Sequence, residues 1–194
     1  MNKSSIKGLL ILALAVLVLG ACAKPPTAEI EAATAAVAKA EADSDAVQYA
    51  APSIARAKDS LARMQAAVAA KQYDSAKTLA QETIQAAEKA IADGASAKTR
   101  ARDESTALLL TVKTALADTG AALTAAAKVR GIGLDVAATD REIQAAAKVV
   151  DAMGTDVSSG KYNDALTKGQ GVRATLGTIQ QRISGAVQAV SRKK

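Results

Sequence analysis

Alanine recurs at helical spacing through almost every segment of this chain, and that recurrence constrains the fold more than any other feature. Alanine gives up no side-chain entropy in a helix, whereas the strand-favouring aromatics amount to Tyr49, Tyr73 and Tyr162. With 49 alanines among 194 residues, and larger apolar residues falling three and four apart, an all-α chain is expected. The expected architecture is a set of antiparallel helical hairpins, a bundle of about five or six helices. At about 1.5 Å rise per residue the hairpins suit either a slender rod or one compact bundle.

The pattern places the elements. Thr27 follows two prolines and precedes Glu29 and Ile30, which marks it as the N-cap of a helix running to about Gln48. Pro52 suits the first turn of a second helix, whose seam is Ile54, Ala57, Leu61, Met64 and Val68. After Lys71-Gln72-Tyr73-Asp74 a third helix carries Ala76, Ala80, Ile84, Ala87 and Ile91, and Gly94 marks a point where it breaks or bends. The seam Leu109, Val112, Leu116, Thr119 and Leu123 runs up to an interruption at Arg130-Gly131-Ile132-Gly133. Thr139 and Glu142 have the spacing of a capping box, opening a helix with Ile143, Ala146, Val150, Met153 and Val157. A last helix carries Tyr162, Ala165, Gly169, Val172, Leu176, Ile179, Ile183 and Val190. Close contact with a neighbouring helix would account for its glycines 169, 171, 177 and 185, and so would a less stable end.

Two of these hairpins read as copies of one helix-turn-helix unit, displaced by 89 residues. Ile54, Ala57, Met64, Val68, Tyr73, Ala76, Thr78 and Gln81 align without gaps onto Ile143, Ala146, Met153, Val157, Tyr162, Ala165, Thr167 and Gln170. A shared helical period aligns apolar classes, but it does not by itself align a tyrosine, a threonine and a glutamine. Each tyrosine is expected to wedge between the helices of its hairpin, burying the ring and leaving the hydroxyl wet.

The start of the chain carries a different kind of signal. Lys3 and Lys7 precede the charge-free run from Gly8 to Leu19, which is short of the roughly 20 residues of a membrane span and reads as an export signal. It runs into Leu19-Gly20-Ala21-Cys22, which resembles the lipobox of bacterial lipoproteins. The resemblance implies that Leu19, Gly20 and Ala21 are read by the lipoprotein signal peptidase. It also implies that Cys22 receives acyl chains and becomes the first mature residue, anchoring the protein in a membrane. Ala23 stands where such lipoproteins carry an Asp for inner-membrane retention, so the resemblance implies the outer membrane, facing the periplasm. Cys22 is the sole cysteine, which leaves no internal disulfide to stabilise the fold. Residues 1–21 are thus expected to be the signal peptide and 22–26 a lipidated tether. Residues 27–98 and 99–191 form two helical units, and 192–194 a basic tail.

From Ala46 to about Lys98 the chain resembles the alanine-rich helical domain of unknown function found in Gram-negative envelope lipoproteins. The resemblance rests on Tyr49 to Pro52, Ala57, Leu61, the turn Lys71 to Ala76, and Ala80, Ala87 and Ala90. Lys71 and Gln72 depart from that pattern, standing where a glycine and an acid are usual. The family has no established active site, so the resemblance implies a fold and a compartment but no chemistry.

The residue inventory argues against catalysis. There is no histidine for acid–base work near neutrality, and no set of histidines and cysteines for a metal. Gly131-Ile132-Gly133 lacks the lysine of a phosphate loop, and Asp103-Glu104 and Asp140 with Glu142 are acids that do not face each other on a helix. No cofactor is expected. Removing residues 1–21 takes away two lysines, leaving 23 Lys and Arg against 19 Asp and Glu, spread without aromatic interleaving. That excludes a nucleic-acid footprint.

Two non-enzymatic expectations remain. One is a periplasmic interaction or scaffold module whose hairpins meet an envelope protein, with self-association through leftover seams. The other is a structural tether to peptidoglycan. The run Ser191-Arg192-Lys193-Lys194 on a lipidated helical chain is similar to the murein lipoproteins, whose final lysine is joined to the wall, and that resemblance implies attachment through Lys194.

Overall fold

The computed structural model describes residues 24–192, which form six helices and no strand. In chain order they are α1 (Thr27–Ala42), α2 (Ser44–Tyr49), α3 (Ala51–Ala69), α4 (Tyr73–Ala127), α5 (Val136–Ser158) and α6 (Tyr162–Ser191). The chain is all-α, as the alanine spacing implied. It divides into two compact units with the boundary between Ala95 and Ser96, inside α4.

The first unit packs α1, α2 and α3 on the opening stretch of α4. Its core holds Val37, Ala40, Ala46, Ile54, Ala57, Ala87 and Ala90, continuing into Ala33, Met64 and Ala80. The second unit packs α5 and α6 on the closing stretch of α4. There the core holds Val112, Val150, Met153, Val172 and Leu176, then Leu123, Ile143, Ile179 and Ile183. Within its own unit, each hairpin therefore presents the same face to a third helix. That helix is α1 in the first unit and the second half of α4 in the second.

The hairpins match bond for bond at the turn. In the first, Ala70 N donates to Ala66 O, Lys71 N to Val68 O, Gln72 N to Ala67 O and Ala76 N to Gln72 O. In the second, Ser159 N donates to Thr155 O, Gly160 N to Val157 O, Lys161 N to Asp156 O and Ala165 N to Lys161 O, each pair 89 residues on. The bonds spanning five and three residues are those that close a helix around a left-handed residue. That residue is Lys71 (φ 58°) in the first turn and Gly160 (φ 76°) in the second. Thr78 donates to Asp74 O and Thr167 to Asn163 O, so the aligned threonines also make the same bond. Tyr73 and Tyr162 each open a helix and are half-buried.

Several expected boundaries move. The helix expected from Thr27 to Gln48 is two, because Asp43 takes an extended conformation and its Oδ1 accepts from Ala46 N at 2.8 Å, capping α2. Thr27 is the first residue of α1 and not its cap; the Pro26 carbonyl accepts from Ile30 N at 3.0 Å. Similarly, α5 starts at Val136 under Asp135, whose Oδ1 accepts from Ala138 N at 2.8 Å. Thr139 lies inside that helix and donates to Asp135 O, while Glu142 pairs with Arg182 on α6, so no capping box forms. Gly94 does not break α4, which runs as one helix from Tyr73 to Ala127. A Cβ there would stand 2.5 Å from Ala46 N, and the glycine lets α2 lie directly on the α4 backbone. Of the four α6 glycines, Gly169 alone is explained by close packing, with Leu108 Cδ2 2.6 Å from where its Cβ would be; the other three have open space.

Candidate interaction surface

The residues that carry the anchoring and wall-attachment readings, Leu19, Gly20, Ala21, Cys22 and Lys194, lie outside the described residues. Within the described residues, no group of three or more His, Cys, Asp or Glu side chains is placed to hold a metal ion. Three of the four acids singled out by sequence are engaged singly. Asp103 pairs with Arg102, Asp140 accepts from Gln144, and Glu142 pairs with Arg182 across α5 and α6. The Arg182 guanidinium holds the Glu142 carboxyl below its usual range, and Glu142 in turn raises Arg182. Asp93 is also lowered, by Lys89 and then by the Ser53 hydroxyl. These carboxylates are stabilised in their charged form, which is the opposite of what a general acid requires.

What the second unit offers is shape. A cleft of ≈ 430 Å³ runs between α5 and α6, floored by Ala146 and Val172 and edged by Ala145, Val149, Gly171 and Thr175. Lys168, paired with Asp156, and Glu142, paired with Arg182, put charge at its edge. Val149 is 38% exposed there, one of the few large apolar side chains left open to water. A second cleft of ≈ 400 Å³ lies between the end of α4 and α6, over Ala126, Ile183 and Val187.

The corresponding face of the first hairpin is built differently. Stepping back 89 residues, Ala145, Val149, Gly171 and Val172 become Arg56, Ser60, Glu82 and Thr83. Arg56 donates to Ser53 Oγ at 2.9 Å, and Ser53 to Asp93 at 2.8 Å. Thr83 Oγ1 donates to Leu79 O at 2.7 Å and lies 3.0 Å from the buried Ser60 Oγ. At these four positions the first unit has polar and charged groups where the second has apolar residues or glycine, while Lys168 and Thr175 of the second become Leu79 and Ala86 in the first. Sequence reasoning missed this contrast because it aligned the positions the copies share, and the difference sits at positions between them.

By length and composition α4 also passes for a membrane span. Val112 and Leu123 of that stretch pack in the second unit's core, while 17% of the apolar window is buried. No curated protein and no solved structure matches the chain. A match to the family described as Domain of unknown function (DUF4398) covers residues 28–106, which take in the helices of the first unit and the start of the second stretch of α4.

Proposed function

We propose that the protein is a lipid-anchored envelope lipoprotein, held at the outer membrane and facing the periplasm, whose helical body is a non-enzymatic interaction or scaffold module. The observation that carries the reading is the juxtaposition of Lys3 and Lys7, the apolar run to Leu19, and Leu19-Gly20-Ala21-Cys22. Two or three acyl chains on Cys22 make a stable anchor, since each buried CH₂ contributes about 0.8 kcal/mol and one chain alone is marginal. The inventory supports a quiet body: histidine is absent, and the one cysteine is taken by the anchor.

Metabolic labelling with a palmitate analogue tests the anchor. Label should enter the protein, and Cys22→Ser should abolish it together with recovery in the outer-membrane fraction; label retained by the variant would overturn the reading. Photocrosslinking from Val149 in intact envelopes tests the module, with a reproducible envelope-protein adduct expected. Protein that survives boiling in sacculi and is freed only by muramidase would instead favour attachment through Lys194.

A further inference from the structure

The first helix of the first unit is held through small side chains. α1 buries Ala33, Val37 and Ala40 and packs Ile30 and Ala36 in part, so nothing larger than one valine is fully covered. Among the described residues its side-chain ties to the hairpin are two ion pairs, Glu29–Lys77 at 3.2 Å and Glu41–Lys58 at 2.7 Å, with side chains between 34% and 58% exposed. Pairs so exposed add little. Its only other polar side-chain bond is internal, from Thr34 to Ile30 O, and no side chain caps its first turn.

The hairpin beneath is held by directional bonds that do not involve α1. Ser53 donates to Asp93, Ser60 meets Thr83 in a buried contact, and the turn between α3 and α4 is closed by four backbone bonds. In the second unit, the helix in the same position brings Leu108, Leu109, Val112, Leu116 and Leu123 and is continuous with the rest of α4. α1 has no such payload, and the extended residue Asp43 separates it from α2, which leads through Ala50 into the hairpin.

We propose that α1 is a releasable strap: it swings away about Asp43 while α3, α4, α5 and α6 stay folded, uncovering a seam of small residues around Met64, Ala80 and Ala87. Once released, a helix of 16 residues is marginal on its own, so its backbone hydrogen bonds open to exchange. The proposal does not depend on the anchor, since it follows from what α1 buries.

Amide hydrogen exchange on the full chain, read by mass spectrometry, tests it. Residues 31–42 should exchange about a hundredfold faster than 80–90, and Val37→Ala should speed α1 about tenfold further while leaving 57–68 and 80–90 unchanged. Equal protection of α1 and α3 in the unmodified chain would overturn the proposal, as would Val37→Ala accelerating α1, α3 and α4 together.

Discussion

A left-handed residue closes each hairpin turn, and the two copies meet that demand with different side chains. Lys71 carries a Cβ at φ 58°, a conformation that costs an L-residue about 1–2 kcal/mol, whereas Gly160 at φ 76° does not bear that cost. Lys71→Gly should therefore stabilise the chain by about 1 kcal/mol, and Gly160→Ala should destabilise it by a similar amount, both read as shifts in the urea midpoint. Gly94 answers to space and not to torsion. Gly94→Ala should destabilise, because its new carbon would meet the Ala46 backbone, whereas Gly171→Ala, in open space inside a helix, should stabilise by up to about 1 kcal/mol. The position of Lys71 was legible in the sequence, since the family pattern puts glycine there. The reason for Gly94 was not: its partner lies 48 residues away on another helix, and only the fold brings them together.

At the scale of elements, short polar side chains decide where helices begin. Asp43→Ala and Asp135→Ala should each cost about 1 kcal/mol, and Asp135→Asn much less, because the amide oxygen still accepts from Ala138 N. Between elements, Glu142 and Arg182 join α5 to α6, and Glu29 joins α1 to α4 through Lys77. Glu29 is held low by its own backbone N–H first and Lys77 second. A carboxyl whose folded pKa lies below its unfolded value contributes stability above the unfolded value and loses it as pH falls through the folded one. The melting temperature should thus hold from neutrality down to about pH 4.5 and fall below it, with Glu142→Gln showing a shallower fall in a pH series. Helix identity and the 89-residue repeat were readable from periodicity and from Tyr73, Thr78 and Gln81 with their counterparts. Cap positions were not, because Thr27, Thr139 and Asp135 all satisfy the same local pattern, and the helices' packing in each unit decides among them.

For the whole molecule, the two units share a plan and differ in filling. Ala80, Thr83, Ala87, Ala90 and Gly94 line the first core where Gly169, Val172, Leu176, Ile179 and Ile183 line the second, all of them buried. Three of the five pairs are larger in the second copy and a fourth exchanges a hydroxyl for a methyl group, so that unit removes more apolar surface from water. Calorimetry of the full chain should show the first unit melting below the second. Leu176→Ala should narrow that gap by about 3 kcal/mol, the cost of an unfilled leucine site. The repeated turn also gives the protein its own internal control. Any substitution made between residues 66 and 76 has a counterpart 89 residues on with the same backbone bonds. Where the copies also share the side chain, as Val68, Tyr73 and Ala76 do with Val157, Tyr162 and Ala165, a difference in outcome reports on the surrounding packing.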